Sequence, residues 1–373
     1  MADRFADWRK WPARGLLLAF LLAVIAGALV PIHAGKSSIK TRNLVEQIAG
    51  GHHKPAERKR DADLALYDRA IARIAKGENY YDFLVAEQRR AHYPVRPGFA
   101  VRLPTLAYLA AWLGEPGLLV ASVVLMLGVL IAWWRRLGEE PGGRRHRPLA
   151  MALLFFGASL GLNRYYFVLH ELWAGMLLAL AFGLHRPGKR WGAALAVAAL
   201  ALAIREHALP FVLLMAGMAF WRRDWREGMA WTGLVAVFVA VLAYHFHLVA
   251  EQVLPGDRQS APWLVGRGLS GWLSNVVLAS NMRYLPRHLA GALVVLTMLG
   301  WAGWRSPAGV FGFWLFAGYG VAFMLAGRWD NFYWGATIAP AMFIGFAFVP
   351  RALASLAGAA LARPWPLLHK RQP

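Results

Sequence analysis

Apolar positions fall in long blocks along this chain, and polar residues collect between them. Gly15–Ile32, Leu118–Trp134 and Trp231–Phe246 are almost unbroken runs of Leu, Ala, Val, Ile, Phe and Trp. Each is about the length of a helix that crosses a hydrocarbon core of roughly 30 Å. The pattern predicts helices over 15–32, 117–134, 149–168, 171–185, 191–204, 207–221, 229–248, 289–304, 309–326 and 334–349. The expected fold is an all-α polytopic membrane protein with about ten transmembrane helices, within a range of about 9–11. It divides into an N-terminus (1–14), a first span (15–32), a large loop (33–103), a helical bundle (104–350) and a C-terminal tail (351–373). The runs at 191–204 and 207–221 are short and joined by Arg205-Glu206-His207, so they could tilt, stop short of the full bilayer or form a hairpin.

Composition agrees. Of 373 residues, 58% are hydrophobic and 16% charged, with a mean hydropathy of +0.40. Soluble chains carry about 45–50% and about 25%, which excludes a soluble enzyme, a collagen-like fibre and a disordered polymer. The net charge of +21 could suggest nucleic acid in a soluble protein. Here topology and lipid headgroups account for it, and no nucleic-acid partner is expected. The chain has no Cys, so disulfides and thiolate chemistry drop out. The basic-then-apolar N-terminus passes into Pro31-Ile32-His33 rather than a small-residue cleavage site, and is read as a retained span.

Orientation follows from Lys and Arg in the short connections. Segments 1–14, 135–148, 186–190, 222–228, 305–308 and 351–373 hold 20 basic residues. The short connections on the other side hold seven: Arg164, Arg205, Arg258, Arg267, Arg283, Arg287 and Arg328. Both termini are therefore expected in the cytoplasm of a bacterial inner membrane. Trp8, Trp11, Trp133, Trp134, Trp191, Trp221, Trp225, Trp231, Trp301 and Trp304 are read as an aromatic belt at the cytoplasmic ends, and His245 and His247 as interfacial. Most acidic residues fall on the other face, among them Asp61, Asp63, Asp68, Glu78, Asp82, Glu171, Glu206 and Asp330. Any chemistry is expected there.

Segment 33–103 is too long and patterned to be a simple link. Leu64, Tyr67, Ile71 and Ile74 make the apolar face of an amphipathic helix, with Asp61 and Asp63 at its start and Lys76-Gly77 at its end. Such a helix would lie along the membrane surface. The basic stretch His52–Arg60 reads as a headgroup-binding face. Then come Gly77-Glu78-Asn79-Tyr80-Tyr81-Asp82 and, before the next apolar run, Arg102-Leu103-Pro104.

These features resemble the GT-C superfamily of membrane glycosyltransferases. Asp63-Leu64-Ala65-Leu66-Tyr67 is similar to that family's acidic-x-x-x-Tyr loop element, and Arg102-Leu103-Pro104 to its basic-x-Pro element. In two respects the sequence departs from the family pattern: about thirty residues separate Ile32 from Asp63, and Leu64 replaces the second acid. The resemblance implies an inverting hexosyl- or pentosyltransferase that takes a sugar from a polyprenyl-phosphate donor. The acceptor would be an unidentified lipid, glycan or protein of the cell envelope, on the outer face of the membrane.

Such transfer needs a base for the acceptor proton. Asp63 is the first candidate and Asp61 the second, with helix capping the competing role for both. The leaving phosphate needs guanidinium groups. Arg205 and Arg328 lead, followed by Arg164 and Arg283, although an Arg at a span end can equally snorkel to headgroups. Glu78, Tyr80, Tyr81, Asp82, Arg102, His170, Glu171, Glu206 and Asp330 complete the candidate substrate-binding set. His170, Glu206, His207 and Asp330 could approach a divalent metal, but their spacing does not define a metal site and no cofactor is assigned. Two other readings stand beside the enzyme. One is a transporter or flippase of an anionic lipid-linked substrate, which would carry broken helices at mid-membrane. The other is a ligase of the O-antigen type or an acyltransferase.

Overall fold

The computed structural model describes residues 3–33 and 60–361. Residues 34–59, with the basic stretch before Arg60, and residues 362–373 of the tail lie outside the described residues. The described helices are α1 (Lys10–Leu29), α2 (Ala62–Ile74), α3 (Tyr80–Arg90), α4 (Thr105–Glu139), α5 (Arg147–Ala158), α6 (His170–Leu184) and α7 (Gly192–Ile204), followed by α8 (Leu209–Trp221), α9 (Trp225–Glu251), α10 (Gly268–Leu278), α11 (Arg287–Gly303), α12 (Pro307–Leu325), α13 (Ala339–Met342) and α14 (Val349–Leu361). Every one of the ten apolar segments carries helical structure. Among the described residues, five stretches are long and apolar enough to cross a membrane: Lys10–Leu29, Gly98–Glu139, Trp225–Glu251, Pro307–Leu325 and Ala339–Leu361. Four shorter apolar helices accompany them, α6, α7, the stretch Glu206–Trp221, and α11.

Side-chain exposure shows why this is a membrane protein. On α4, Val120, Val123, Val124, Leu127, Ile131 and Trp134 form an exposed stripe at helical spacing, and Leu18, Leu21, Leu22, Ile25 and Leu29 do the same on α1. Water would penalise such stripes at about 25 cal/mol per Å²; lipid does not. Inside the bundle, small residues let backbones touch. A Cβ at Gly291 would meet the Gly27 carbonyl at 2.1 Å, and one at Gly300 the Gly345 carbonyl at 1.8 Å. These contacts seat α1 on α11 and α11 on the 343–348 segment.

Two ends can be told apart. At the terminal end, Arg4 N–H donates to Gly303 O (2.9 Å) and Arg14 Nε donates to Ala360 O (2.9 Å). At the loop end lie α2, α3 and the hairpin between α7 and α8. The last apolar segment is interrupted: 3₁₀ turns at Trp329–Thr337 and Phe343–Phe348 flank α13. A 3₁₀ turn rises about 2.0 Å per residue against 1.5 Å for α, so this stretch reaches from the loop end to Trp304, where Phe348 stacks on the indole (4.1 Å). Residues 351–361, assigned to the tail by hydropathy, continue as α14 against α1 and α11.

The structure corrects part of the aromatic belt. Trp8, Trp11, Trp134, Trp221 and Trp225 are exposed, but Trp133, Trp231, Trp301 and Trp304 are fully buried. Trp133, Trp301 and Trp304 donate to the carbonyls of Ala179, Met342 and Pro141, so the indoles tie helices together instead of marking the interface. His245 is likewise buried, between Tyr81 Oη (2.9 Å) and Val101 O (3.2 Å). It joins α9 to the loop. The amphipathic α2 packs on α3 and α4; its buried Ala70 and Ile74 share an apolar cluster with Tyr80, Phe83, Val101 and Val249.

Candidate functional site

The hairpin between α7 and α8 sets the depth of the site. Each of these helices has 13 residues, about 20 Å of rise, which falls short of a hydrocarbon core of roughly 30 Å. The buried place where the connecting residues pack against α6 and the 3₁₀ stretch Trp329–Thr337 is the recess of the loop end. Arg205, 1% exposed, ends α7. Its Nε lies 2.8 Å from Glu171 Oε1, and its Nη1 pairs with Glu206. The same Glu171 oxygen is 3.9 Å from Arg102 Nη2. Neither Arg205 Nε nor Glu171 Oε1 has an aligned hydrogen bond, so the contact is one of charge with poor directionality.

Arg102 reaches this point from the turn before α4. Its Nε donates to Tyr67 Oη (3.2 Å) and its Nη2 to Tyr333 Oη (3.3 Å). Asn331 Nδ2 donates to the same phenol (3.3 Å). The Tyr67 and His170 rings lie 5.1 Å apart, and His207 packs edge-on against Trp334 at 4.5 Å. The His207 carbonyl accepts from Tyr319 Oη (2.5 Å). Four elements remote in sequence thus close around two guanidinium groups and two carboxylates, and α2 covers the recess through Tyr67.

Of the sequence candidates, Arg102, His170, Glu171, Arg205 and Glu206 come together here. Asp63 is exposed on the first turn of α2 and accepts a short hydrogen bond from Tyr93 Oη. Burial, and then this bond, push the Tyr93 phenol well above its ordinary pKa. Asp63 precedes Tyr67 by one helical turn, so the two share a face of α2. Asp61 holds the N-cap position without a side-chain capping bond, and its N–H meets Tyr165 Oη (3.3 Å).

The remaining candidates stand apart. Glu78 pairs with Arg73, whose hydrogen bond holds its carboxyl below the usual range. Tyr80 is buried and donates to the Arg102 carbonyl (2.7 Å), supporting the site from behind. Tyr81 contacts His245, and Asp82 is exposed. Arg164 pairs loosely with Glu115 (3.4 Å), and Arg283 lies over the Tyr166 and Tyr284 rings. The Arg328 guanidinium faces Asp330, Ser260 and the Ala261 carbonyl and shares no partner with Arg205. Its backbone N–H donates to Asn331 (3.1 Å), one step from Tyr333. Among the described residues, no group of three or more His, Cys, Asp or Glu is placed to hold a metal ion.

A family model for predicted membrane proteins, DUF2079, matches residues 60–326. The chain belongs to the DUF2079 family. The matched stretch includes Arg102, Glu171, Arg205 and Glu206, while Tyr333 lies past its end. No curated protein and no solved structure matches this DUF2079 member.

Sequence reasoning passed over Tyr333, Tyr93 and Arg267. Arg267 is buried, with Nε and Nη1 unpartnered and its guanidinium 5.2 Å from the Trp329 ring centroid. The signal for Arg267 was its place on the basic-poor face. Nothing local distinguishes Tyr333 in Asp330-Asn331-Phe332-Tyr333-Trp334.

Proposed function

We propose that this DUF2079 protein is an inverting glycosyltransferase that uses a polyprenyl-phosphate sugar. In this reading the chain spans a bacterial inner membrane about ten times, with both termini cytoplasmic and the loop end facing outward. The acceptor is a lipid, glycan or protein of the envelope. The observation carrying the reading is the convergence of Arg102 and Arg205, from separate elements, on one buried Glu171 oxygen at the loop end. An anionic oxygen between two guanidiniums is the environment that a donor phosphate needs. The poorly aligned Glu171 contact is one that a phosphate can displace.

Asp63 is the base in this scheme. It lies on the face of α2 that carries Tyr67, whose phenol contacts Arg102, and as a carboxylate it accepts the proton of the acceptor hydroxyl as the glycosidic bond forms. The sugar–phosphate bond breaks in the same step, and the Arg102–Arg205 pair stabilises the departing phosphate. Asp63→Asn is expected to lower transfer about 10²–10⁴-fold while donor binding persists. Arg102→Gln is expected to weaken donor binding, with Lys a partial substitute. Full transfer activity in both variants rejects the assignment.

A second reading, transport of an anionic lipid-linked substrate, draws on the broken last crossing at 329–348. Substrate movement across vesicles without sugar transfer selects it. Transfer of radiolabelled sugar to an extractable product selects the enzyme.

A further inference from the structure

At the terminal end, far from the recess, a cavity of about 410 Å³ opens among Arg4, Arg136, His185, Arg222, Arg305 and Ser306. Four arginines around one space is an unusual density of charge, and the carboxylates nearby only partly balance it. Arg136 is paired with Glu140 (3.2 Å) and Arg222 with Glu227 (3.2 Å), while His185 also hydrogen-bonds Glu227 (2.7 Å). Among the described residues Arg305 pairs only with Asp7 (3.2 Å), in a pair more than half exposed on both sides, which screens little. The Arg4 side chain has no hydrogen-bond or ion-pair partner among the described residues, and burial and the facing Arg305 both lower its pKa. The two arginines repel each other, and an anion between them would relieve that repulsion.

Two further features define that anion. The N-terminus of the 19-residue α12 lines the same space through Ser306, Pro307 and Val310, and its positive dipole end favours negative charge. The rest of the wall is apolar, with Met218, Val310 and Phe311. The exposed indoles of Trp8, Trp11, Trp134, Trp221 and Trp225 belong to this end, which marks it as the level of lipid headgroups. A wall that is half cationic and half apolar at that level matches a phosphate with a hydrocarbon chain attached. The volume falls in the range of about 300–1,000 Å³ typical of ligand sites.

We infer that this cavity binds the phosphate of an anionic membrane phospholipid, held by Arg4 and Arg305 with Arg136 and Arg222 behind them. The inference is independent of the glycosyltransferase reading, since no residue of the recess takes part.

Native mass spectrometry of the full chain, released from micelles containing phosphatidylglycerol and phosphatidylcholine, tests it. The expected result is selective retention of phosphatidylglycerol. The double variant Arg4→Gln, Arg305→Gln should retain it at least about tenfold less, as the loss of charge-assisted hydrogen bonds predicts. Arg9→Gln with Arg145→Gln removes the same charge from exposed positions at the same end and should leave retention unchanged. Equal loss in both double variants means diffuse attraction and overturns the proposal. Retention of inorganic diphosphate in place of phosphatidylglycerol also overturns it, because the occupant is then a soluble anion. Circular dichroism and melting of each variant confirm that the comparison is made on folded protein.

Discussion

Arg205 at the loop end and Arg136 at the terminal end are equally buried, each 1% exposed, yet they are held in opposite ways. Arg136 donates from Nη1 to the carbonyls of Phe182 and His185, the latter at 2.8 Å, where α6 runs out, and from Nε to Glu140 one turn along its own helix (3.2 Å). The two carbonyls are the orphan acceptors that any helix C-terminus presents, so Arg136 caps α6 with a carboxylate of its own helix beside it. Arg205 instead faces Glu171 and Glu206, side chains that can move or be replaced by another anion. One arginine finishes a helix. The other balances charge between two carboxylates, a balance that the proposed donor phosphate would shift. Burial alone would rank the two alike; the nature of the partner separates a structural arginine from a site arginine.

The largest effect expected from this contrast is on folding. Arg205→Met leaves Glu171 and Glu206 buried without their closest cation and should cost about 3–5 kcal/mol, read as a lowered midpoint in thermal or denaturant unfolding in detergent. Arg205→Met with Glu171→Met should recover much of that loss, because one of the stranded charges is gone. A single variant no worse than the double would mean that the ion contact contributes nothing.

The sequence made the apolar helices legible because lipid imposes long apolar runs, and it made Arg205, Glu206, Glu171 and Arg102 visible because charges at the ends of such runs are rare. It did not show α10, whose Gly268-Leu269-Ser270-Gly271-Trp272 opening is too short and too polar to look like a span, although its Ser274 and Asn275 are fully buried. Nor did it show which tryptophans face inward, since hydropathy scores Trp133 and Trp134 alike while the structure buries one and exposes the other. The meeting of Tyr333 with Arg102 joins positions 231 residues apart. Only the 3₁₀ stretch 329–337, seated against α6 and α10, brings them together.

A smaller loss is expected at the terminal end. Arg136→Met removes the bonds to two carbonyls and the pairing of Glu140 and should cost about 1.5–3 kcal/mol, with no effect on donor binding at the recess. Hydrogen exchange at residues 182–188 should rise in the same variant, reporting the frayed end of α6. Unchanged protection there would remove Arg136 from its capping role and collapse the contrast with Arg205.

Smaller again is the clasp between the two loops. Asp257 accepts from Arg89 at 2.5 and 2.7 Å, Arg96 Nη2 donates to the Asp257 carbonyl (2.7 Å), and Ser260 N–H donates to the Arg96 carbonyl (2.7 Å). The hydrogen bonds from Arg89 hold the Asp257 carboxyl down to about 2. A depressed carboxylate contributes its stabilisation in full above the unfolded value of about 3.9 and loses it as pH falls through the folded value. The clasp should therefore stay closed at pH 5 and open between about pH 4 and 2, seen as rising exchange at residues 252–260. Arg89→Gln should open it already at neutral pH. Exchange that does not change with pH in the parent chain would show that the backbone bonds alone close the loops.

The smallest effect belongs to Arg164, which separates exposed charge from recessed charge at the same end of the molecule. Its pair with Glu115 spans 3.4 Å with both side chains more than 60% exposed, a geometry in which an ion pair contributes about 0–1 kcal/mol. Arg164→Gln should shift the unfolding midpoint by no more than measurement scatter, and raising salt should abolish whatever remains. Binding of a polyprenyl-phosphate sugar is the sharper readout. If the phosphate is held in the recess by Arg102 and Arg205, Arg164→Gln binds the donor as the parent does, because its guanidinium lies with Glu115 outside that cluster. A loss of donor affinity as large as that of Arg102→Gln would instead move the phosphate to the exposed rim, and Glu171 would then be a permanent partner of Arg205 and not a carboxylate displaced by substrate.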